Sequence, residues 1–223
     1  MGSAVGASLP IAVGVMISPL PVVAVVLMLV TPRAKPNSFA FLTGWFVGVA
    51  LVGSIVLLLS GAAVPDDEGT PTWAAVVKIV LGALLLVVAV GQFRKRPREG
   101  VAPETPRWMA TIDTFTPVKA AGLAVLLSAV NPKNLLLVVS GAAAIATAAP
   151  GDTGAQFGAL AVFAVVASVG VALPLVIYFA LGDRAGKVLD ELKDWMVQNN
   201  AVIMSILLLV IGAKMIGDGI GAL

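Results

Sequence analysis

Two short stretches hold the residues best placed to do chemistry: Ser18-Pro19-Leu20-Pro21 and Asn131-Pro132-Lys133-Asn134. Each lies about 13 to 17 residues into a long apolar run, near mid-bilayer at a rise of about 1.5 Å per residue. A proline inside a helix lacks the N–H of the hydrogen-bond ladder and frees carbonyls of the preceding turn. In hydrocarbon those carbonyls cannot face lipid, so they are expected to face protein, water or substrate. The matched breaks, Ser18, Pro19 and Pro21 with Asn131, Pro132, Lys133 and Asn134, are therefore candidate substrate-binding residues. Lys133 is the sharpest of them. A lysine near the middle of a span costs about 2.5 to 3.5 kcal/mol to insert, and neither interrupted run holds an acid to neutralise it. Two roles stay open. The ammonium either donates to carbonyls freed by the prolines and clamps the breaks together, or faces a cavity with Asn131, Asn134 and Ser18 as neutral partners. In the second case it attracts an anionic group such as a phosphate or carboxylate.

Three more charges sit inside apolar runs. Lys214 and Asp218, four residues apart, share a helix face and are expected to pair, while Lys78 is expected to snorkel to the nearer interface. The alternative gives Asp218 a role in proton coupling, which makes Lys78, Lys214 and Asp218 candidate coupling or ion-pair residues. The chain has no cysteine and no histidine, which removes disulfides, thiol redox chemistry, His-based metal sites and His proton relays. No Gly-rich phosphate loop with Lys and Ser or Thr is present, and no nucleophile–base arrangement. Neither enzymatic activity nor a cofactor or metal is expected.

The elements that must position these residues are membrane helices. Of 223 residues 59% are hydrophobic and only 12% charged, with a mean hydropathy of +1.04, where an ordinary soluble domain is about a quarter charged. The apolar runs predict an all-α, polytopic membrane protein with six transmembrane helices, at about residues 4–30, 38–61, 73–93, 119–148, 155–182 and 199–222. Eleven of the fourteen Lys and Arg residues fall in the first, third and fifth loops, or at the far edge of the third. The second loop carries Asp66, Asp67 and Glu68 and the fourth Asp152, with no base in either. The positive-inside rule then places the odd loops in the cytoplasm and both termini outside, in a bacterial inner membrane. That pattern also explains the pI near 9.1 without nucleic acid. Met1-Gly2-Ser3-Ala4 lacks the basic start of a cleaved signal, so the first run is expected to stay. The third loop, with Pro97, Pro103 and Pro106, reads as mobile. Val188, Leu189, Leu192, Trp195 and Met196 share one side of a short segment that reads as a separate helix lying in the cytoplasmic interface.

The chain divides into repeat 1 (about 1–95), a cytoplasmic loop (about 94–118) and repeat 2 (about 119–223) of one transmembrane domain. Three crossings per half mean opposite insertion, so the expectation is a 3+3 inverted repeat with broken helices 1 and 4. Pro10 and Pro174 are expected to be plain kinks. Small residues echo the repeat in Gly44-Trp45-Phe46-Val47-Gly48 and Gly154-Ala155-Gln156-Phe157-Gly158, whose spacing suits close packing within the chain.

Ser18-Pro19-Leu20-Pro21, the Gly-Trp-Phe-Val-Gly of the second span and Asn131-Pro132-Lys133 together resemble the lysine-exporter superfamily, whose amino-acid exporters carry Pro-Gly-Pro in the first helix and Asn-Pro-Lys in the fourth. Nearly the whole chain is most similar to its actinobacterial branch of glycopeptidolipid- and sulfolipid-addressing proteins. Leu20 stands where amino-acid exporters have glycine and Val22 where they often have asparagine, which weakens the case for an amino-acid carboxylate site. The resemblance implies export of a lipid-linked or amphiphilic solute. Export of a small amino acid or cation, or a non-transporting scaffold for lipid export, are the alternatives. Expected partners are membrane lipids and a lipid-like or small-molecule substrate, with a second copy or a lipid-export machine as candidate protein partners.

Overall fold

A chain this apolar must satisfy its backbone polar groups internally, and helices do so within each segment. The computed structural model describes residues 1–62, 72–94, 107–221 and 223, and every regular element among them is helical. In order these are α1 (Gly2–Met16), α2 (Pro19–Leu29), α3 (Ala34–Ala62), α4 (Thr72–Arg94), a 3-10 helix (Arg107–Thr114), α5 (Pro117–Val125), a π turn (Leu126–Val130), α6 (Pro132–Ala148), α7 (Thr153–Leu181) and, after a 3-10 turn (Gly182–Arg184), α8 (Ala185–Ile220). Helices α3, α4, α7 and α8 are each long and apolar enough to cross a membrane. Two bent pairs pass the same test, α1 with α2 at 49° and the α5–π segment with α6 at 63°, which gives up to six crossings. The chain is a multi-pass membrane protein.

The prolines sort into two classes. Pro10 and Pro174 stay inside α1 and α7, whereas Pro19 and Pro132 each open a new helix. The difference lies in the residue before. Ser18 and Asn131 have extended backbone (φ −70°, ψ 110° and φ −60°, ψ 118°), as a residue before proline prefers and a helix N-cap requires.

The separate interfacial helix is not found. Residues 185–220 form one uninterrupted helix of 36 residues, about 54 Å long, against a hydrocarbon core of about 30 Å. Asn199 does not end the amphipathic segment, because its side-chain amide donates to the carbonyl of Trp195 one turn earlier (2.9 Å) and the ladder continues. The apolar stripe is also divided: Leu189 is buried, while Val188 and Trp195 face outward. The acidic second loop, with Asp66, Asp67 and Glu68, and most of the third, with Lys95, Arg96, Pro97, Arg98, Pro103 and Pro106, lie outside the described residues. The end of the third loop is the 3-10 helix, which contacts α2 and buries Ile112.

Helix α3 packs on α5, α6 and α7; α1 packs on α6 and α7; α4 runs along α8. Between lipid-facing helices no hydrophobic gain drives association, so close backbone approach must do it. Gly44 lies against the backbone of Ala121 and Gly48 against Val125 and Ser128, so the first small-residue pair packs within the chain on α5. The expected echo in α7 does not match it: Gly154 and Gly158 meet only the Asp152 and Met1 side chains. The tight contact there is made by Gly170, where a Cβ would overlap the carbonyl oxygen of Met16 at the end of α1.

Candidate functional site

At the first break the ladder of α1 runs out with Ile17 N–H donating to Val13 O (3.0 Å) and Ser18 N–H to Val15 O (3.1 Å). Ser18 occupies the N-cap of α2 but does not cap it. Its buried hydroxyl instead donates to Asn134 Oδ1 (3.0 Å), so α2 begins without a side-chain cap.

At the second break Asn131 N–H reaches back five residues to Leu126 O (2.9 Å), which makes the π turn. In that register the N–H of residue 132 would serve Leu127 O, and proline has none. Asn134 supplies the missing donor: its Nδ2 donates to Leu127 O (2.8 Å). Asn131 caps α6 in the ordinary way, its Oδ1 accepting from Lys133 N–H (3.1 Å). Asn134 therefore repairs the break on its own chain segment with one side-chain atom and ties it to the other break with the next.

This network leaves the Lys133 ammonium out. Lys133 is 6% exposed, and among the described residues its Nζ has neither a hydrogen bond nor an ion pair. The clamp in which it donates to freed carbonyls is not seen, and the neutral partners expected for it, Ser18, Asn131 and Asn134, are engaged with each other or with backbone. The helices packed on α6 are chiefly α1, α3, α4 and α7, and none of these helices contains an Asp or Glu. The Ser18–Asn134 bond also sets the N-terminus of α2 beside that of α6. Each helix start carries about half a positive charge, so two of them meet in one buried place, with Lys133 in the first turn of α6. Such a place favours an anion.

Lys214 and Asp218 pair on α8, both nearly half exposed, and Lys78 is half-buried on α4; none of the three has a bond to the break residues. Other buried polar groups have roles that the sequence did not assign. Ser140, buried on α6 with no partner for its hydroxyl among the described residues, lies seven residues beyond Lys133 and so on the same face. Trp45 Nε1 donates to Ala167 O (3.2 Å), joining α3 to α7. Asn37 Nδ2 donates to Phe115 O (2.9 Å), tying the start of α3 to the entrance of α5. Asn37 had the look of an ordinary loop residue.

The fold and site define a multi-pass membrane protein whose two interrupted helices are joined by the buried Ser18–Asn134 bond, beside a buried Lys133 whose ammonium has no partner among the described residues. The family described as Sap, sulfolipid-1-addressing protein, matches residues 9–221, and the chain belongs to that family. No curated protein matches the chain, and no solved structure does. The match falls on the branch the sequence resembles; the wider lysine-exporter superfamily stands as a resemblance.

Proposed function

We propose that the chain is a secondary transporter that exports a lipid-linked or amphiphilic solute with an anionic head, by rocking two inverted repeats about the paired breaks. The observation that carries this reading is Lys133, buried in the first turn of α6 beside the joined starts of α2 and α6, with no counter-charge for its ammonium among the described residues. A permanent structural cation would be expected to have a permanent partner. A cation that meets its partner only during transport would not. The family's name refers to sulfolipid 1, and a sulfolipid is an anionic amphiphile, which fits the same chemistry. An inverted repeat is supported by exchange of partners: α3 packs on α5 as α7 packs on α1, while α4 and α8 pack on each other.

The test compares envelope lipids and exported amino acids in cells with and without the protein. The expected result is loss of an anionic lipid from the outer envelope and its accumulation inside, with amino-acid export unchanged. Loss of amino-acid export alone would favour the small-solute exporter. Lipid export that survives alteration of both breaks and fails on removal of the third loop would make the chain a scaffold.

The orientation carried by the basic loops belongs to the same proposal. A reporter active only outside the cytoplasm is expected to be active when fused after Leu223 and inactive when inserted after Lys95. The opposite pattern would invert the direction assigned to the site.

A further inference from the structure

The outer surface between α3 and α7 carries a groove of about 490 Å³, walled by Phe39, Leu42, Ala172, Leu175, Val176 and Phe179. On α7 the lining residues recur at steps of three and four, a stripe about 10 Å long. Phe39 is 52% and Val176 60% exposed, so the described residues leave these two walls open. One end is chemically marked. There the rings of Phe39 and Phe179 lie 5.8 Å apart, tilted by 30°, and the Lys35 ammonium sits 5.8 Å from the centroid of Phe179. Lys35 has no ion pair among the described residues. Arg33 and Lys35 at the start of α3 and Arg184 just after α7 are exposed at this end.

We propose that this groove holds one acyl chain of an anionic phospholipid of the surrounding bilayer, with its phosphate at Lys35. Tails of all membrane lipids are as apolar as the groove, so the walls select for a chain but not for a kind of lipid. Selection falls to the head group. Aromatic rings and bases at the end of two spans have the composition of a membrane interface, which is where a phosphate would lie. The Lys35 ammonium is held over the Phe179 ring at the groove's end, so a bound tail and a bound phosphate fit one molecule. This site is separate from Lys133 and does not depend on the transport reading.

The test reconstitutes the full chain in nanodiscs of phosphatidylglycerol and phosphatidylcholine in equal parts and measures by native mass spectrometry which lipids remain bound on release. Wild type is expected to retain phosphatidylglycerol preferentially. Lys35→Gln is expected to lose about fivefold of that preference, the equivalent of about 1 kcal/mol per base, while Lys119→Gln, an exposed base on α5, leaves it unchanged. Ala172→Trp, which fills the groove without touching a buried side chain's charge, is expected to release both lipids while the protein stays monodisperse. An unchanged ratio in Lys35→Gln would overturn the head-group assignment. Undiminished lipid retention by a monodisperse Ala172→Trp protein would overturn the groove.

Discussion

Lys133→Ala is expected to abolish transport while leaving the protein in the membrane at wild-type abundance or above. Insertion of a lysine at this depth costs about 2.5 to 3.5 kcal/mol, and no bond from its Nζ to described residues offsets that cost. Alanine removes the cost and breaks no hydrogen bond to the described residues, because the capping bond at residue 133 uses the backbone N–H, which alanine keeps. A gain in stability with loss of activity is the mark of a residue held for function. Lys133→Arg is expected to keep part of the activity, since it retains the charge but not the shape. Transport rates and the temperature at which the solubilised protein loses its monodisperse peak should be measured on the same preparations. Wild-type transport by the alanine variant would remove the anion role. A large fall in its thermal stability would instead restore the clamp.

Gly170→Leu is expected to abolish the folded protein altogether. At Gly170 a Cβ would overlap the Met16 carbonyl oxygen, which is backbone at the first break and has no rotamer by which to move aside. Overpacking of side chains usually costs about 1 to 3 kcal/mol, and rigid backbone should bring the cost to about 3 kcal/mol or more. The contact also sets where α1 ends, so the damage reaches the break. Gly217→Leu on α8, where a Cβ meets nothing within 4 Å, makes the same change of size without the overlap. Size-exclusion profiles should show loss of the Gly170 variant and a normal Gly217 variant. A monodisperse, active Gly170→Leu protein would show that α1 and α7 do not approach as described.

The helices were legible because apolar runs of membrane length leave the backbone few alternatives, and the breaks because proline withholds a donor whatever surrounds it. Their inner construction was not. The sequence Asn131-Pro132-Lys133-Asn134 offers three polar side chains, and nothing local says that Asn134 takes Leu127 O and Ser18 Oγ while the Lys133 ammonium takes none of the described residues. Those assignments depend on a helix placed 116 residues away. A finer signal was available in the pairs Ser18-Pro19 and Asn131-Pro132, an N-cap followed by proline, which distinguishes a new helix start from a kink such as Pro174. The continuity of α8 was hidden because the apolar run begins only at about residue 199, whereas Asn199 is bonded to its own preceding turn and the helix passes through it. Gly170 could not be told from other glycines in apolar runs, since its meaning lies in Met16 across the contact.

The Ser18–Asn134 bond also has a consequence for biogenesis. Its two ends are 116 residues apart, and a ribosome adding about 5 to 20 residues per second needs roughly 6 to 23 s to make the second after the first. For that interval α1 and α2 lie in or beside the translocon with the Ser18 hydroxyl lacking its eventual acceptor. The first half of the protein is thus born with an unsatisfied polar joint at membrane depth, and only emergence of the second half closes it. A truncation that ends before Asn134 leaves a nascent membrane segment that quality control has a physical reason to recognise.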